Sequence, residues 1–439
     1  MKARSGEPER RAALQALLTV FRNRNRLPAD WAPIFRHLNS RQTARAQRLA
    51  DSVLRHHNAL TAAVSAHLDR DPPLEIALIL KMMAAELLID GTPAHAAVHS
   101  GVGLARDVNR SGGLRKLVNA IGRKLADERE RRAAQDPDST DASTLLPNAL
   151  PGSLRAELQD RFGNSVVTAI EATHAKRPPI DLTLRDPGRI RDWSQQLGAA
   201  ILPTGSLRLF FPGQITALPG YDDGDWWVQN AAAAVPVHWL GPVHGSRVLD
   251  LCAAPGGKSM QLAAAGAVVT ALDRSRTRMR RLRANLRRTG LESETIIADA
   301  LTWEPNTPFD AVLLDAPCTA TGTIRRHPEI PFIHDLSPTG IRDLIDLQDR
   351  LLDRAAAWVR PGGLLLFATC SLIAAEGEDQ LAAFLSRHSN WVLEAPDPGI
   401  DGIPETWSPA CGILRIRPDH WQDRGGVDGF FIARCRRHS

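Results

Sequence analysis

Apolar and polar positions alternate with the period of an α-helix over the first 127 residues of the chain. Ala13, Leu17 and Phe21 recur at helical spacing, and the stretch from Leu74 to Leu88 is apolar on most sides. An amphipathic pattern predicts a surface helix, whereas a helix that is apolar all round is buried. The sequence therefore predicts an all-helical domain over residues 1–130, with a central helix at 74–88.

The pattern changes twice further along the chain. Residues 131–150 are charged, then polar and proline-bearing, which predicts a linker. Residues 151–235 mix short helices with strands such as 180–184 and 207–211. This mixture predicts a small α+β subdomain between the linker and the remainder of the chain.

From residue 236 to residue 439, apolar strands alternate with helical segments. The strands are predicted at 247–251, 267–273, 295–299, 311–315 and 364–367. Near-continuous apolar strands separated by helices are typical of a parallel sheet that is covered on both faces. We therefore predict an α/β domain whose ligands bind at the carboxyl edge of its sheet.

The distribution of charge indicates a partner. The chain has 439 residues and a net charge of +5, and residues 1–130 carry 21 Lys and Arg against 13 Asp and Glu. A basic helical domain on a near-neutral body indicates a polyanion, most simply nucleic acid. The alternative is a solvated helical face. Within the helical domain, the basic stretch 106–124 is the better candidate for nucleic-acid contact.

Several classes of protein are disfavoured by the composition. The chain has no run of about 18 apolar residues, which a membrane span would need, and its first residues lack the apolar stretch of a signal peptide. Its five cysteines show no paired metal-ligand spacing. The sequence therefore predicts a cytoplasmic protein with free thiols, no metal site and no membrane contact.

A glycine-containing turn follows the first strand of the α/β domain. Residues 254–258 read Ala-Pro-Gly-Gly-Lys, and Asp273 and Asp299 end the next two strands. Glycines let a backbone approach a ligand, and carboxylates at strand ends can accept hydrogen bonds from a ribose and a base edge. The turn lacks the GxGxxG spacing of NAD sites. S-adenosylmethionine is therefore the favoured cofactor, with helix capping as the alternative role of each aspartate.

Two cysteines follow two other predicted strands. Cys318 stands in Asp315-Ala-Pro-Cys, and Cys370 in Ala-Thr-Cys-Ser. Methylation of C5 of a pyrimidine needs a thiolate that attacks C6, an acid or base, and a carboxylate that engages the N3 edge. Cys370, Cys318 and Asp315 supply these three types, and Lys258 could organise the site. The residues alone leave open which thiol is the nucleophile.

Cations favour a thiolate, and two arginines are candidates for that role: Arg325 and Arg326. A second basic segment, residues 274–288, holds eight arginines and no acid. It predicts either phosphate contacts or a solvated helix, with Met279, Leu282 and Leu286 facing the sheet. Trp226 and Trp227 are predicted either to stack on bases or to pack between subdomains.

Residues 250–258, 315–329 and 368–371 closely resemble motifs of the RNA cytosine-C5 methyltransferases of the Nop2/Sun type. Residues 93–98 and 117–121 are similar, more loosely, to segments of NusB-like domains. The resemblance spans nearly the whole chain. It implies a Rossmann-like S-adenosylmethionine methyltransferase domain at 236–439, preceded by the small α+β subdomain and by an all-α NusB-like RNA-binding domain.

The resemblance also implies roles for single residues. Cys370 would be the nucleophile, and Cys318 would assist release of the enzyme from methylated RNA. The S-adenosylmethionine pocket would be lined by Cys252, Ala253, Ala254, Pro255, Gly256, Gly257, Lys258, Asp273, Asp299 and Asp315. Two positions depart from the family pattern: Thr319 replaces a serine, and Gly377 replaces an asparagine.

The implied reaction is methylation of C5 of one cytosine in 16S rRNA through a covalent Cys370–C6 intermediate. We expect a monomer that acts on ribosomal RNA before the small subunit is fully assembled. One alternative keeps the chemistry but changes the substrate to tRNA or another rRNA site. The other is a non-catalytic RNA-binding or ribosome-assembly scaffold, against which the intact Cys318, Cys370, Asp315 and Lys258 argue.

Overall fold

The chain divides into two compact units. In this computed structural model, the structure describes residues 7–27, 35–108, 112–135, 149–210, 213–396 and 400–438. The first unit comprises Met1–Arg177 and Ile324–Asp335, and the second comprises Pro178–Thr323 and Leu336–Ser439. The segment that follows the Cys318 motif in sequence therefore belongs to the first unit, although the motif itself belongs to the second.

The first unit is helical in its described residues. Its helices are α1 (Glu7–Asn23), α2 (Ser40–Arg55), α3 (His57–Ser65), α4 (Leu74–Leu88), α5 (Ala94–Val108), α6 (Gly112–Gln135), α7 (Gly152–Phe162), α8 (Asn164–Ala175) and the short α13 (Ile330–Ile333), numbered by its place in the chain. Helix α4 buries residues around its whole circumference and forms the centre of a core that also contains Leu17, Val53 and Val118. This confirms the predicted helical domain and its central helix.

Helices α7 and α8 lie in the first unit, so the border between the units falls at Arg177 and Pro178. That border lies inside the subdomain that the sequence predicts at 151–235. Residues 136–148 of the predicted linker and 109–111 of the basic stretch 106–124 lie outside the described residues. The domain boundaries at 130, 150 and 235 remain predictions.

Two buried histidines make the first unit sensitive to acid. Burial lowers the pKa of His174 to about 3, helped by the charges of Arg325 and Arg55. Burial and the charge of Lys81 lower the pKa of His57 to about 3 as well. Both histidines are therefore neutral in the folded unit. Below pH 6.5 the unfolded chain binds more protons than the folded one, so stability falls as the pH falls from 6.5 towards 3.

We expect a His174→Leu variant to lose less stability on acidification than the natural chain. Between pH 7.5 and pH 5 each neutral histidine should cost the folded unit about 2 kcal/mol. Urea unfolding at the two pH values measures this loss. In the variant, the loss of unfolding free energy between pH 7.5 and pH 5 should be smaller by about that amount. An unchanged loss would contradict the burial argument.

The second unit begins with a small antiparallel sheet. Its strands are β1 (Ile180–Leu184), β2 (Ala200–Ile201), β3 (Leu207–Leu209) and β4 (Trp226–Val228), in the order β2-β3-β1-β4, with α9 (Ile190–Leu197) between β1 and β2. A buried ion pair joins β1 to β3. The Nε of Arg208 donates to Asp181 over 2.7 Å, and Arg208 also donates to the carbonyl oxygens of Arg424 and Gly426.

Replacement of Asp181 by asparagine should destabilise the protein by about 3–5 kcal/mol, because it leaves the Arg208 charge buried without its counterion. The side chains of Asp181 and Arg208 are 0% and 1% exposed, so water cannot solvate the unpaired guanidinium. Urea unfolding measures the change. Asp349→Asn, which removes a half-exposed partner of Arg387, is the matched control and should cost less than about 1 kcal/mol.

The two tryptophans of β4 are buried. Trp226 is 0% exposed and packs in the core of the small sheet, and Trp227 is 2% exposed and packs beside Met260 and Leu282. Their indole nitrogens donate to the Pro219 carbonyl and to the side chain of Gln229. Base stacking, one of the two predicted roles, is therefore wrong, because neither ring face is open to a base.

The main sheet carries the strands that the sequence predicts. They are β5 (Arg247–Leu251), β6 (Val268–Leu272), β7 (Glu294–Ile296), β8 (Phe309–Asp315), β9 (Val359–Thr369), β10 (Trp391–Leu393), β11 (Ile413–Ile416) and β12 (Phe430–Arg437). The order is β10-β12-β9-β8-β5-β6-β7, with β11 paired to β12. Strands β5 to β9 are parallel, whereas β12 is antiparallel to β9.

The remaining helices alternate with these strands. They are α10 (Ala231–Leu240), α11 (Gly257–Ala264), α12 (Arg276–Thr289), α14 (Arg342–Ala357) and α15 (Glu378–Arg387). The fold is Rossmann-like, as predicted. Among the helices that the structure describes, none is long and apolar enough to cross a bilayer.

Strand register brings the candidate residues to one edge. Leu251 pairs with Leu272 and with Leu314, and Leu314 pairs with Phe367. These four residues form one row across β6, β5, β8 and β9. The residues that follow the row on each strand therefore emerge side by side at the carboxyl edge.

Candidate active site

The turn between β5 and α11 brings backbone close to the start of a helix. Gly256 has a φ of +105°, and a Cβ at this position would lie 2.7 Å from the Cγ of Leu282. A side chain is therefore excluded both by conformation and by contact. Helix α11 begins at Gly257, and its first N–H groups favour a negatively charged or polar ligand. This cradle fits the predicted cofactor turn.

Asp273 follows β6 and is built into the same turn. Its carboxylate accepts hydrogen bonds from the backbone N–H groups of Ala254 over 3.2 Å and Ser275 over 2.7 Å, and it is 4% exposed. The Arg278 guanidinium lies 3.6 Å away. Since a carboxylate has about four acceptor sites, Asp273 can still accept from ribose hydroxyls, which fits S-adenosylmethionine.

Asp299 is exposed at the end of the segment that follows β7. Its Oδ1 accepts from the backbone N–H of Leu301 over 2.9 Å. This hydrogen bond lies in a turn, and no helix begins there among the described residues, so it is not an instance of the helix-capping alternative. A role for Asp299 in binding the cofactor stays a prediction.

Lys258 and Asp315 form an ion pair at the sheet edge. The Lys258 Nζ lies 2.7 Å from the Asp315 Oδ2, and the ring of Phe430 lies beneath the ammonium group. Burial opposes the charge of Lys258, but attraction to Asp315, together with the interactions with Asp250 and Cys370, outweighs burial and raises the lysine pKa. The ammonium group is therefore charged at neutral pH, and Asp315 keeps its second oxygen for another partner.

The two predicted thiols lie next to each other. The Sγ atoms of Cys318 and Cys370 are 3.5 Å apart. Asp315 of β8 pairs with Ala368 of β9, and each cysteine follows that pair by two or three residues. Backbone hydrogen bonds continue the pairing beyond the strands, from Ala316 N–H to the Ala368 oxygen and from Gly322 N–H to the Cys370 oxygen. The cysteine loops thus extend the sheet edge.

The surroundings of the two thiols differ. The pKa of Cys318 is raised well above its usual value, first by the hydrogen bond with Cys370, then by burial, and also by the charge of Glu376. Cys318 therefore stays a neutral thiol at neutral pH. Lys258, in contrast, interacts electrostatically with Cys370.

The predicted cations, Arg325 and Arg326, belong to the first unit. Arg325 is buried there, and its charge acts on His174. The electrostatic interaction with Cys370 comes from Lys258. A part played by the two arginines in favouring the thiolate stays a prediction.

Two buried acids lie in the site although the sequence analysis does not predict them as site residues. Glu376 is 0% exposed and accepts hydrogen bonds from both cysteine loops. Asp250 lies at the end of β5, accepts from the Ser259 hydroxyl, and has its pKa raised to about 7 by burial. Their positions in the sequence could have indicated a role in the site. Asp250 is the first residue of the motif at 250–258, and Glu376 follows Cys370 by six positions.

The arginine-rich segment forms helix α12 and is partly structural. Met279, Leu282 and Leu286 are buried, as predicted. Arg278 and Arg288 donate to backbone oxygens of the turn at Ala254 and of Tyr221, and Arg283 donates to Thr295. The other arginines of the segment are exposed. The solvated-helix alternative thus explains only part of the charge.

Among the described residues, no group of three or more His, Cys, Asp or Glu side chains could hold a metal ion.

Comparison with known proteins agrees with this geometry. Residues 237–436 match the model of the family described as 16S rRNA methyltransferase RsmB/F, and residues 7–127 match that of the NusB family. The chain is also similar to a crystal structure of a methyltransferase homolog from Pyrococcus horikoshii, with 27% identity and a TM-score of 0.54. That similarity covers 64% of this chain and 93% of the other.

Curated relatives extend the similarity over nearly all of the chain. The ribosomal RNA small subunit methyltransferase B of Cronobacter sakazakii is 32% identical over 97% of both chains. The protein of the same name from Enterobacter sp. strain 638 is 35% identical over 73% of this chain and 76% of its own length. The chain therefore belongs to the RsmB/F family of 16S rRNA methyltransferases.

Proposed function

We propose that this methyltransferase transfers a methyl group to C5 of a cytosine in 16S rRNA through a covalent bond between Cys370 and C6. One observation carries the proposal above all. Two thiols lie 3.5 Å apart beside the Lys258–Asp315 ion pair, at the sheet edge where the cofactor turn also lies. Neither a methyltransferase for nitrogen atoms nor a scaffold needs a paired thiol site of this kind.

S-adenosyl-L-methionine is the cofactor, as the methyltransferase family and the turn at 254–258 indicate. Gly256, Gly257 and Asp273 would hold it, with Lys258 and Asp315 at its border, and when bound it supplies the methyl group. Cys252, Ala253, Ala254, Pro255 and Asp299 remain proposed contacts.

Cys370 would act as the nucleophile. Its thiolate adds to C6, and the electron pair of the C5–C6 double bond moves towards C5, which then takes the methyl group. A base removes the C5 proton, the double bond re-forms, and the Cys370 sulfur leaves as a thiolate. Asp315 would engage the N3 edge of the ring while Lys258 holds the other carboxylate oxygen. The reaction releases one proton in total.

Cys318 would be the base that completes the reaction. The largest cause of its raised pKa is the hydrogen bond with Cys370. That cause disappears once the Cys370 sulfur is bonded to carbon, so the Cys318 thiol can then lose its proton to solvent and accept the proton from C5. Within this proposal, which follows the family resemblance of the two cysteine motifs, Cys370 is the nucleophile and Cys318 is the residue that frees the enzyme from RNA.

Purified protein tests the proposal directly. With labelled S-adenosylmethionine, the chain should methylate a 16S rRNA transcript, and digestion to nucleosides should yield 5-methylcytidine. Label in tRNA instead would support the alternative substrate. The absence of label in both RNAs, with folded protein, would favour the scaffold. Action before full assembly of the small subunit, a monomeric state and a cytoplasmic location are further parts of the proposal.

A further inference from the structure

A buried carboxylate joins the two cysteine loops from behind. The Oε1 of Glu376 accepts from the backbone N–H of Thr319 over 2.8 Å, and its Oε2 accepts from the Thr319 hydroxyl over 2.5 Å and from the Ser371 hydroxyl over 2.6 Å. Thr319 directly follows Cys318, and Ser371 directly follows Cys370. One side chain therefore holds the residue next to each thiol.

Other side chains complete the connection. Gln348 is 0% exposed and donates to Glu376 over 3.1 Å and to the carbonyl oxygen of Pro317 over 2.8 Å. The Thr321 hydroxyl accepts from Leu372 N–H and lies 3.1 Å from the Ser371 hydroxyl. Every member of this network lies within six residues of a reactive cysteine or donates to a residue that does.

Gly377, which stands where the family pattern has an asparagine, lies next to this network and leaves space for Arg415. A Cβ at this position would lie 2.7 Å from a guanidinium nitrogen of Arg415 and 2.9 Å from the Phe431 ring. Arg415 uses the space to donate to the Ser371 carbonyl oxygen over 2.6 Å and to pair with Glu378. The Cys370 loop is thus held by Glu376 on one side and by Arg415 on the other.

We propose that Glu376 is a positioning residue that locks the two cysteine loops together and keeps the two thiols in different roles. The inference rests on the proposed covalent chemistry. Glu376 touches neither sulfur nor, in the proposed reaction, the RNA base, so it acts through Thr319 and Ser371.

Electrostatics support the difference in roles. Among the charged and titratable groups, Glu376 acts on Cys318, Lys258 interacts with Cys370, and the two thiols act on each other. The Glu376 charge helps to raise the pKa of Cys318, whereas the Lys258 charge interacts with Cys370. Glu376 thereby adds to the hydrogen bond with Cys370 and to burial in keeping Cys318 from ionising and competing for C6 before Cys370 has reacted.

The alkylation rates of Cys318 and Cys370, measured separately in the full chain without RNA or cofactor, test this role. Iodoacetamide would be added across a range of pH, and mass spectrometry of the Cys318 and Cys370 peptides would give a rate for each. In Glu376→Gln, which keeps the length of the side chain but loses its charge, the Cys318 rate at neutral pH should rise about tenfold relative to the Cys370 rate. The rise follows from a larger thiolate fraction, because the loss of the Glu376 charge lowers the pKa of Cys318.

Two further variants separate charge from geometry. Ser371→Ala removes one hydrogen bond but leaves the Glu376 charge, so the ratio of the two alkylation rates should stay as in the natural chain while kcat for methylation falls and KM for RNA does not. Glu304→Gln is the matched control, because Glu304 pairs with Arg354 and Trp358 and touches neither cysteine loop. It should change none of these readouts.

An unchanged ratio of rates in folded Glu376→Gln would overturn the inference. If Glu376→Gln loses its cooperative melting transition, Glu376→Asp is used in its place. This variant keeps the charge, so an alkylation-rate ratio equal to that of the natural chain supports the inference, and a tenfold rise in the ratio contradicts it. If the natural chain fails to methylate any RNA, the proposed function fails, but the alkylation rates still show whether Glu376 distinguishes the thiols.

Discussion

Replacement of Cys370 by alanine should abolish methyl transfer, with a loss of roughly 10⁴-fold or more, the scale expected when an enzyme loses its nucleophile. Of the thiol pair only Cys318 remains in this variant, and the proposed mechanism gives it the role of base rather than nucleophile. The variant should still fold and bind RNA, since Cys370 is only partly buried. Label transfer from S-adenosylmethionine to a 16S rRNA transcript measures the loss.

Replacement of Cys318 by alanine should have a different result. Attack by Cys370 and methyl transfer remain possible, but the proton on C5 has lost its acceptor, so the RNA should stay attached to the protein. A denaturing gel would then show a protein–RNA band with Cys318→Ala and none with Cys370→Ala. The reverse pattern would assign the nucleophile to Cys318, the alternative that the residues by themselves leave open.

Replacement of Lys258 by methionine should lower kcat by about 10²–10³-fold, within the range for the loss of one group that acts on a reacting centre. Methionine has a similar length but no charge, so Asp315 loses its ion-pair partner and a cation no longer acts on Cys370. Steady-state methylation kinetics at several pH values measure the effect.

Lys258→Arg provides the control for this prediction, because it keeps the positive charge next to Asp315. It should retain more activity than Lys258→Met, and both variants should show a cooperative melting transition. A Lys258→Met enzyme with the natural kcat would show that the ion pair serves the fold rather than the reaction.

Much of the second unit could be predicted because its strands are nearly continuous apolar runs that end in acids. Strands β5, β6 and β8 lie within one or two residues of their predicted bounds. Strand β9 was predicted only at 364–367, but it begins at Val359 and includes Arg360, Pro361 and Gly362. These residues break the apolar pattern, and the pairing of Phe309 with Val359 holds them in the sheet nonetheless.

The proximity of the two thiols was predictable for a similar reason, since neighbouring parallel strands deliver the residues that follow them to one edge. The role of Glu376 was not, because a single acid in a polar loop has no periodic signal, and its partners are distant in sequence. Burial decided the remaining differences. Trp226 and Trp227 are enclosed by apolar cores, although two adjacent tryptophans could equally stack on bases when only their sequence is known.

The most direct test of the central claim is bisulfite sequencing of ribosomal RNA from cells with and without this gene. The account predicts one 16S cytosine that is protected from conversion only when the gene is present, with protection restored by the natural chain and not by Cys370→Ala. If every 16S cytosine converts equally in both strains, the chain is not a cytosine-C5 methyltransferase of 16S rRNA under those conditions, and the proposed substrate is contradicted.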